Sequence, residues 1–294
     1  MPATNRFLPT RAVSYSACLA AAAAGAPLRG SIHSAFNAAA NIAFPGGLIL
    51  SLNALDSPRM PNGLELSTPA GTFPFTRLRP GMPALLGAQR LLIESADCSL
   101  DLSHCALWNP SINRPEHLNS NNIVMNREWL ANYLSTGPSL TTRPRARSMD
   151  RALLTDTMQE CIPARAYLES GWKLDILPMA HYLCGRGAGL TPSGDDILTG
   201  WMSINWLLYG PLPCLLEAYQ QIITVATQQT HLLSRCWLGY AAEGNVAQPV
   251  LTLLNALTGV SETELATAAQ AVIAMGATSG HDLLQGILLG LAGF

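Results

Sequence analysis

Two stretches of the chain carry the same side chains in the same order. Ser193-Gly194-Asp195-Asp196-Ile197-Leu198-Thr199-Gly200 is followed 86 residues later by Ser279-Gly280-His281-Asp282-Leu283-Leu284-Gln285-Gly286. The shared pattern, Ser-Gly-x-Asp-Ile/Leu-Leu-x-Gly, reads as a loop entering a helix. Serine is a favoured N-cap, and an acid three residues on can bond back to the cap in a capping box. Glycine at the first helical position leaves the free N–H groups unscreened, and the helix dipole makes that end attractive to a phosphate or carboxylate. Two such ends can form one pocket. Asp195 and Asp196 are neighbours and project about 100° apart on a helix, so both cannot serve the cap. The catalytic candidates are Asp195, Asp196, His281 and Asp282, and if Asp196 is the capping acid, Asp195 is the one left free for chemistry. The plain alternative is that each motif only starts a helix well.

The first copy is preceded by Gly185-Arg186-Gly187-Ala188-Gly189-Leu190-Thr191-Pro192. Three glycines in five residues imply backbone at positive φ or something approaching closely. Candidate binding residues are therefore Gly187, Gly189, Thr191, Ser193 and Gly194, with Thr278, Ser279 and Gly280 in the second copy. Standard motifs are missing elsewhere. The glycine loop is not the dinucleotide-binding G-x-G-x-x-G, no lysine completes a Walker loop, and there is no G-x-S-x-G elbow or H-E-x-x-H pair.

The run Gly187 to Asp196, with Leu198 and Gly200, and the run Gly276-Ala277-Thr278-Ser279-Gly280-His281-Asp282 together resemble the signature of a bacterial AllH-type family, formerly a domain of unknown function. The resemblance extends to Gly30 through Asn41, Gly46 to Leu52, Pro61-Asn62-Gly63-Leu64, Thr230, Ser234 and Tyr240 to Gly244. Ala188 stands where the family commonly has proline. One member is a subunit of a three-subunit oxamate carbamoyltransferase of anaerobic allantoin breakdown, which interconverts oxalurate plus phosphate with oxamate plus carbamoyl phosphate. The resemblance implies a component that works with two unrelated subunits on a small anionic substrate or phosphate. It also places Asn62 among the substrate-binding candidates. In such a site the glycine loop and helix ends would hold anions, an aspartate would accept from the carbamoyl NH₂, and the Thr and Ser hydroxyls would orient oxygens. Carboxylates beside a phosphate repel it, which a bridging Mg²⁺ would relieve; no cofactor is otherwise indicated.

Bulk composition fits an assembly component. Charged residues make up 12% of the 294, against an average of about 25%, while 49% are hydrophobic. Sparse surface charge points to a face covered by a partner. A net charge of −2 offers no footprint for nucleic acid. Seven cysteines, odd in number and without C-x-x-C spacing, read as reduced thiols of a cytoplasmic protein. Arg6 and Arg11 ahead of Ala20 to Ala24 imitate a signal peptide, but an alanine run favours a helix and flows directly into the segment from Gly30. No apolar run is long enough to span a membrane.

The elements that must position these residues change character along the chain, giving an α+β class. Residues 1–148 read as a β-rich region with runs at 47–52, 63–67 and 89–94, and residues 98–122 as loop. Arg143, Arg145 and Arg147 around Pro144 read as a linker. Residues 149–294 read as helical, with helices near 149–161, 172–184, 194–209, 213–240, 247–257, 262–275 and 280–291, the two halves possibly forming one intimate domain. Three functional readings are open on these residues. They are a carbamoyltransferase-type subunit, a non-catalytic structural or regulatory partner, and a stand-alone metal-assisted phosphate-handling enzyme.

Overall fold

The computed structural model describes residues 10–136 and 175–293. The expected helix at 149–161, the arginine cluster and Cys161 lie outside the described residues. The chain divides into two compact units, Met1–Pro110 and Ser111–Phe294.

The first unit is built on one nine-stranded mixed sheet. Its strands are β1 (Ala12–Ser16), β2 (Leu28–Ala35), β3 (Ala39–Ala43), β4 (Ile49–Asn53), β5 (Gly63–Leu66), β6 (Pro83–Gly87), β7 (Arg90–Ile93), β8 (Cys98–Asp101) and β9 (Ala106–Trp108), in the order β8-β7-β6-β2-β3-β4-β5-β1-β9. Neighbours are antiparallel except β4 with β5 and β1 with β9. Successive strand residues face opposite sides. Ile32, Ala40, Ile42, Leu50, Leu52, Leu64, Leu66 and Tyr15 build the apolar core of this unit, onto which the short helix α1 (Ala20–Ala24) also packs through Ala23. The alternate positions of the central strands are small and polar: Ser14 and Ser16 on β1, Asn41 on β3, Ser51 and Asn53 on β4. All of these are buried as well.

The second unit is helical: α2 (Ser120–Thr136), α3 (Leu177–Leu183), α4 (Ser193–Tyr209), α5 (Pro213–Gln229), α6 (Leu232–Ala242), α7 (Gln248–Thr258), α8 (Glu262–Ile273) and α9 (Ser279–Gly290). Helix α4 is its axis, buried along nearly its whole length. Ile197, Leu198, Trp201 and Met202 meet Leu215, Tyr219 and Ile222 of α5 and Leu238 of α6 in one core. Glycine lets α4 and α9 touch backbone to backbone. A Cβ on Gly200 would lie 2.1 Å from the Leu283 carbonyl oxygen, and one on Gly286 would lie 2.0 Å from that of Ile197.

Two expectations about elements are corrected. The stretch 98–122 is not all loop, for it holds β8 and β9, and its Asn-rich end starts a helix because the Asn119 side chain accepts from the backbone N–H of Asn121 at 3.0 Å and so caps α2. The single helix expected over 213–240 is two, broken where Thr230 and His231 adopt extended backbone.

Candidate functional site

The two repeated motifs do not cap their own helices. Ser193 and Ser279 are the first helical residues, the caps being Pro192 and Thr278, neither of which makes a side-chain capping bond. The serine hydroxyls reach across instead. Ser279 at the start of α9 bonds Asp196 of α4, while Ser193 at the start of α4, together with Thr278, bonds Asp282 of α9. The capping-box expectation is therefore wrong in its partner. The serine and the acid three residues on are paired between helices, and this crossing holds the first turns of α4 and α9 side by side. Glycine makes the approach possible in each copy. A Cβ on Gly194 would meet the Leu183 carbonyl at 2.0 Å, and one on Gly280 the Val272 carbonyl at 1.8 Å.

Asp195 is the anchor rather than the free acid. Its Oδ1 accepts from the Gly185 N–H at 2.9 Å, and its Oδ2 accepts from the hydroxyls of Thr230 and of Ser234, the latter at 2.6 Å. One carboxylate thus fastens the glycine loop, the break between α5 and α6, and the first turn of α6 to α4. The α5–α6 break puts Thr230 and Ser234 within reach of it. Neither hydroxyl was among the residues selected from sequence as site candidates, since serine and threonine carry no spacing signal of their own.

Asp196 and Asp282 are both buried, and each has one carboxyl oxygen, Oδ2, without a hydrogen-bond partner. Burial pushes the Asp196 carboxyl well above the usual carboxylate range, outweighing the Ser279 bond, and the negative charges of Asp282 and Asp195 push the same way. Burial likewise raises Asp282 to about 6 against the stabilising bonds from Ser193 and Thr278. Burial thus favours the protonated form of both acids, and more strongly at Asp196 than at Asp282.

The remaining candidates surround this pair. Thr191 Oγ1 and Ser279 Oγ are 3.1 Å apart, tying the glycine loop to α9. Gly187 and Gly189 have φ of 124° and 96°, which any other residue adopts with strain, and a Cβ on Gly187 would strike the Ser193 nitrogen at 2.6 Å. Arg186, within the same loop, stacks over the Tyr182 ring at 3.9 Å and supplies the loop's one cation. His281 Nδ1 lies 3.1 Å from Gln285 Nε2 one turn along α9. Cys184 is no nucleophile here: burial first, then the Asp195 charge, pushes its thiol up to about 12. Among the described residues no three His, Cys, Asp or Glu side chains gather as metal ligands. Asn62 lies in the first unit and is fully buried beside β5.

The residues that make this arrangement fall within one family model. Residues 183–291 match the model described as oxamate carbamoyltransferase subunit AllH, and residues 11–107 match the one described as the AllH family N-terminal domain. The chain belongs to the AllH family. No solved structure matches it. The C-terminal model begins at the last residue of α3 and closes just past α9, so it encloses the glycine loop, both crossed motifs and the Thr230 and Ser234 anchor points. The N-terminal model covers the sheet as far as Leu107 in β9.

Proposed function

We propose that this chain is a subunit of a carbamoyltransferase-type complex, acting on oxalurate and phosphate to give oxamate and carbamoyl phosphate or on a closely related pair, and that it contributes the pocket for the carbamoyl group and its anionic partner. The observation that carries the reading is the crossed pairing of Ser193 with Asp282 and Ser279 with Asp196, which leaves two buried carboxyl groups, each with an open oxygen, at two adjoining helix N-termini. A carbamoyl group is neutral and has a carbonyl oxygen to accept and an NH₂ to donate. The Asp196 carboxyl, whose protonated form burial favours, suits the former and Asp282 the latter. The neutral form of Asp196 also lessens the repulsion that a phosphate would meet there. The N–H groups of Gly194, Asp195, Asp196, Gly280, His281 and Asp282 are spent on the carbonyls of Arg186, Pro192, Met275 and Thr278, so the attraction for its charge comes from the dipoles of α4 and α9. Asp195 positions the glycine loop, and the hydroxyls of Thr191, Ser193, Thr278 and Ser279 orient the acids.

The test is oxalurate phosphorolysis by the chain purified alone and together with the products of adjacent genes. The expected result is transfer only in the assembled complex, and its reduction by at least about a hundredfold, the size of a lost general-acid or oxyanion contact, in both Asp196→Asn and Asp282→Asn. Full transfer by the unaccompanied chain would reject the subunit reading. Full transfer by a complex carrying either variant would reject the pocket.

A further inference from the structure

In the first unit, the turn after β2 and the segment 75–80 flank a surface cavity of about 310 Å³, lined among others by Phe36, Asn37, Phe75, Thr76, Leu78 and Arg79. That is the lower end of the volumes that hold small molecules. Backbone bonds fix its walls. The Phe36 N–H donates to the Ala39 carbonyl at 2.7 Å, the Asn37 carbonyl accepts from the Gly71 N–H at 2.6 Å, and the Leu78 N–H donates to the Pro74 carbonyl at 3.2 Å. The Gly81 N–H, just past the segment, donates to the Ile32 carbonyl of β2 at 2.8 Å and so ties the two walls together. Phe75 and Leu78 are buried, whereas Phe36 is 50% exposed and offers its ring to whatever enters.

Arg79 brings the charge. Its Nη1 donates to the Leu78 carbonyl at 2.7 Å and to the Thr76 carbonyl at 3.0 Å. Two carbonyls on one nitrogen hold the guanidinium in place and leave open its Nε–Nη2 edge, whose paired N–H groups match the two oxygens of a carboxylate. Among the described residues no carboxylate lies within ion-pair distance of Arg79; the nearby Asp97 is paired with Arg77 at 3.2 Å. The sequence sharpens the point: no Asp or Glu occurs before Asp56 or between Glu65 and Glu94, so both lining segments come from acid-free stretches. The exposed Asn37 amide and Thr76 hydroxyl add donors on the same lining.

We propose that this cavity binds an aromatic monocarboxylate, with its carboxylate on the Nε–Nη2 edge of Arg79 and its ring against Phe36 and Phe75. The lining selects the class. A cation without a counter-ion calls for an anion. One open fork matches one planar carboxylate, whereas a dianionic phosphate would bring a second charge that no other cation on the lining balances. Two phenylalanines favour a planar apolar body, because aromatic rings attract one another in offset-stacked or edge-to-face contact. The assignment concerns the first unit by itself and does not rest on carbamoyl transfer.

The experiment is calorimetric titration of the purified full-length chain with benzoate, benzamide and acetate. Benzamide keeps the ring and loses the charge; acetate keeps the charge and loses the ring. Benzoate is expected to bind at least about tenfold more tightly than either, since each alternative forfeits one of the two contacts. In Arg79→Lys, which keeps the charge and loses the fork, the preference for benzoate over benzamide should fall several-fold, and in Arg79→Gln it should approach unity. In Phe36→Ala the preference for benzoate over acetate should fall while that over benzamide holds. Phe36 is half exposed, so this variant decides even if the Arg79 variants, which lose bonds to two carbonyls, do not fold. Absence of benzoate binding, equal affinity for the three probes, or preferences unchanged in the folded variants overturns the proposal. None of these titrations involves oxalurate or a second subunit, so this proposal and the carbamoyltransferase reading fail separately.

Discussion

At the scale of single residues, three neighbouring aspartates do different things because their surroundings differ. Asp195 has both oxygens occupied by three donors, so Asp195→Asn must turn an NH₂ toward at least one of them. We expect it to lower stability by about 1–3 kcal/mol, the range for breaking a buried hydrogen-bonded group, as read by urea unfolding. This reverses what the sequence pattern predicts, in which Asp196 bears the structural role. Asp196→Asn and Asp282→Asn replace acids that burial already disfavours as anions, and should leave stability at neutral pH unchanged or higher. Asp282 gives a sharper check. Its folded value of about 6 lies above the ordinary aspartate value of 3.8, so between those limits the folded chain holds a proton that the unfolded chain has released. Its contribution is present in full below about pH 4 and is lost as pH rises through 6. Melting temperatures taken from pH 4 to 7 should therefore decline less steeply in Asp282→Asn than in the unaltered chain; parallel curves would contradict the assignment. The identity of these side chains was legible in the sequence, as was the meeting of the two motifs in space. Their partners were not, because a serine followed by an acid three residues on predicts a local bond, and only the packing of two helices reveals that the bond goes to the neighbour.

Among the elements, close backbone contact between α4 and α9 is the decisive feature. Gly200→Ala or Gly286→Ala would drive a methyl group into a carbonyl oxygen about 2 Å away. Neither helix can yield without separating the crossed acids. The expected cost is about 1–3 kcal/mol or more, as for overpacked cores, together with loss of any activity that needs Asp196 and Asp282 side by side. Gly239 is the control: it lies within α6 with nothing within 4 Å of a Cβ, so Gly239→Ala should gain about 0.5–1 kcal/mol from helix propensity. Chemical denaturation of the three variants decides the point, and equal behaviour would refute it. Strong periodicity made α4, α7, α8 and α9 readable to within a residue or two. The break between α5 and α6 was hidden because no proline or glycine marks it, and Asp195 rather than local chemistry rewards it. Strand β6 escaped notice for a related reason. Its hairpin to β7 turns through Ala88 and Gln89 at φ of 49° and 57°, without the Asn-Gly signal that such a turn usually carries.

For the molecule as a whole, the sequence disclosed an α+β chain with a sheet first and helices after, and a family assignment that the matched models bear out. The polar row across the sheet was beyond reach, since isolated Ser and Asn in strands look like exposed positions until the register aligns them. The helical unit carries a further consequence. Gly200 faces Leu283 while Gly286 faces Ile197, Ser193 bonds Asp282 while Ser279 bonds Asp196, and Gly194 and Gly280 each rest on the carbonyl of a preceding helix. These contacts exchange in pairs, so the first turns of α4 and α9 meet reciprocally about a local dyad. A pocket on a dyad offers equivalent grips to both ends of whatever it holds. Its sense of direction must then come from the positions at which the copies have diverged, Asp195 against His281 and Thr199 against Gln285, and from the glycine loop that only the first copy retains at full length.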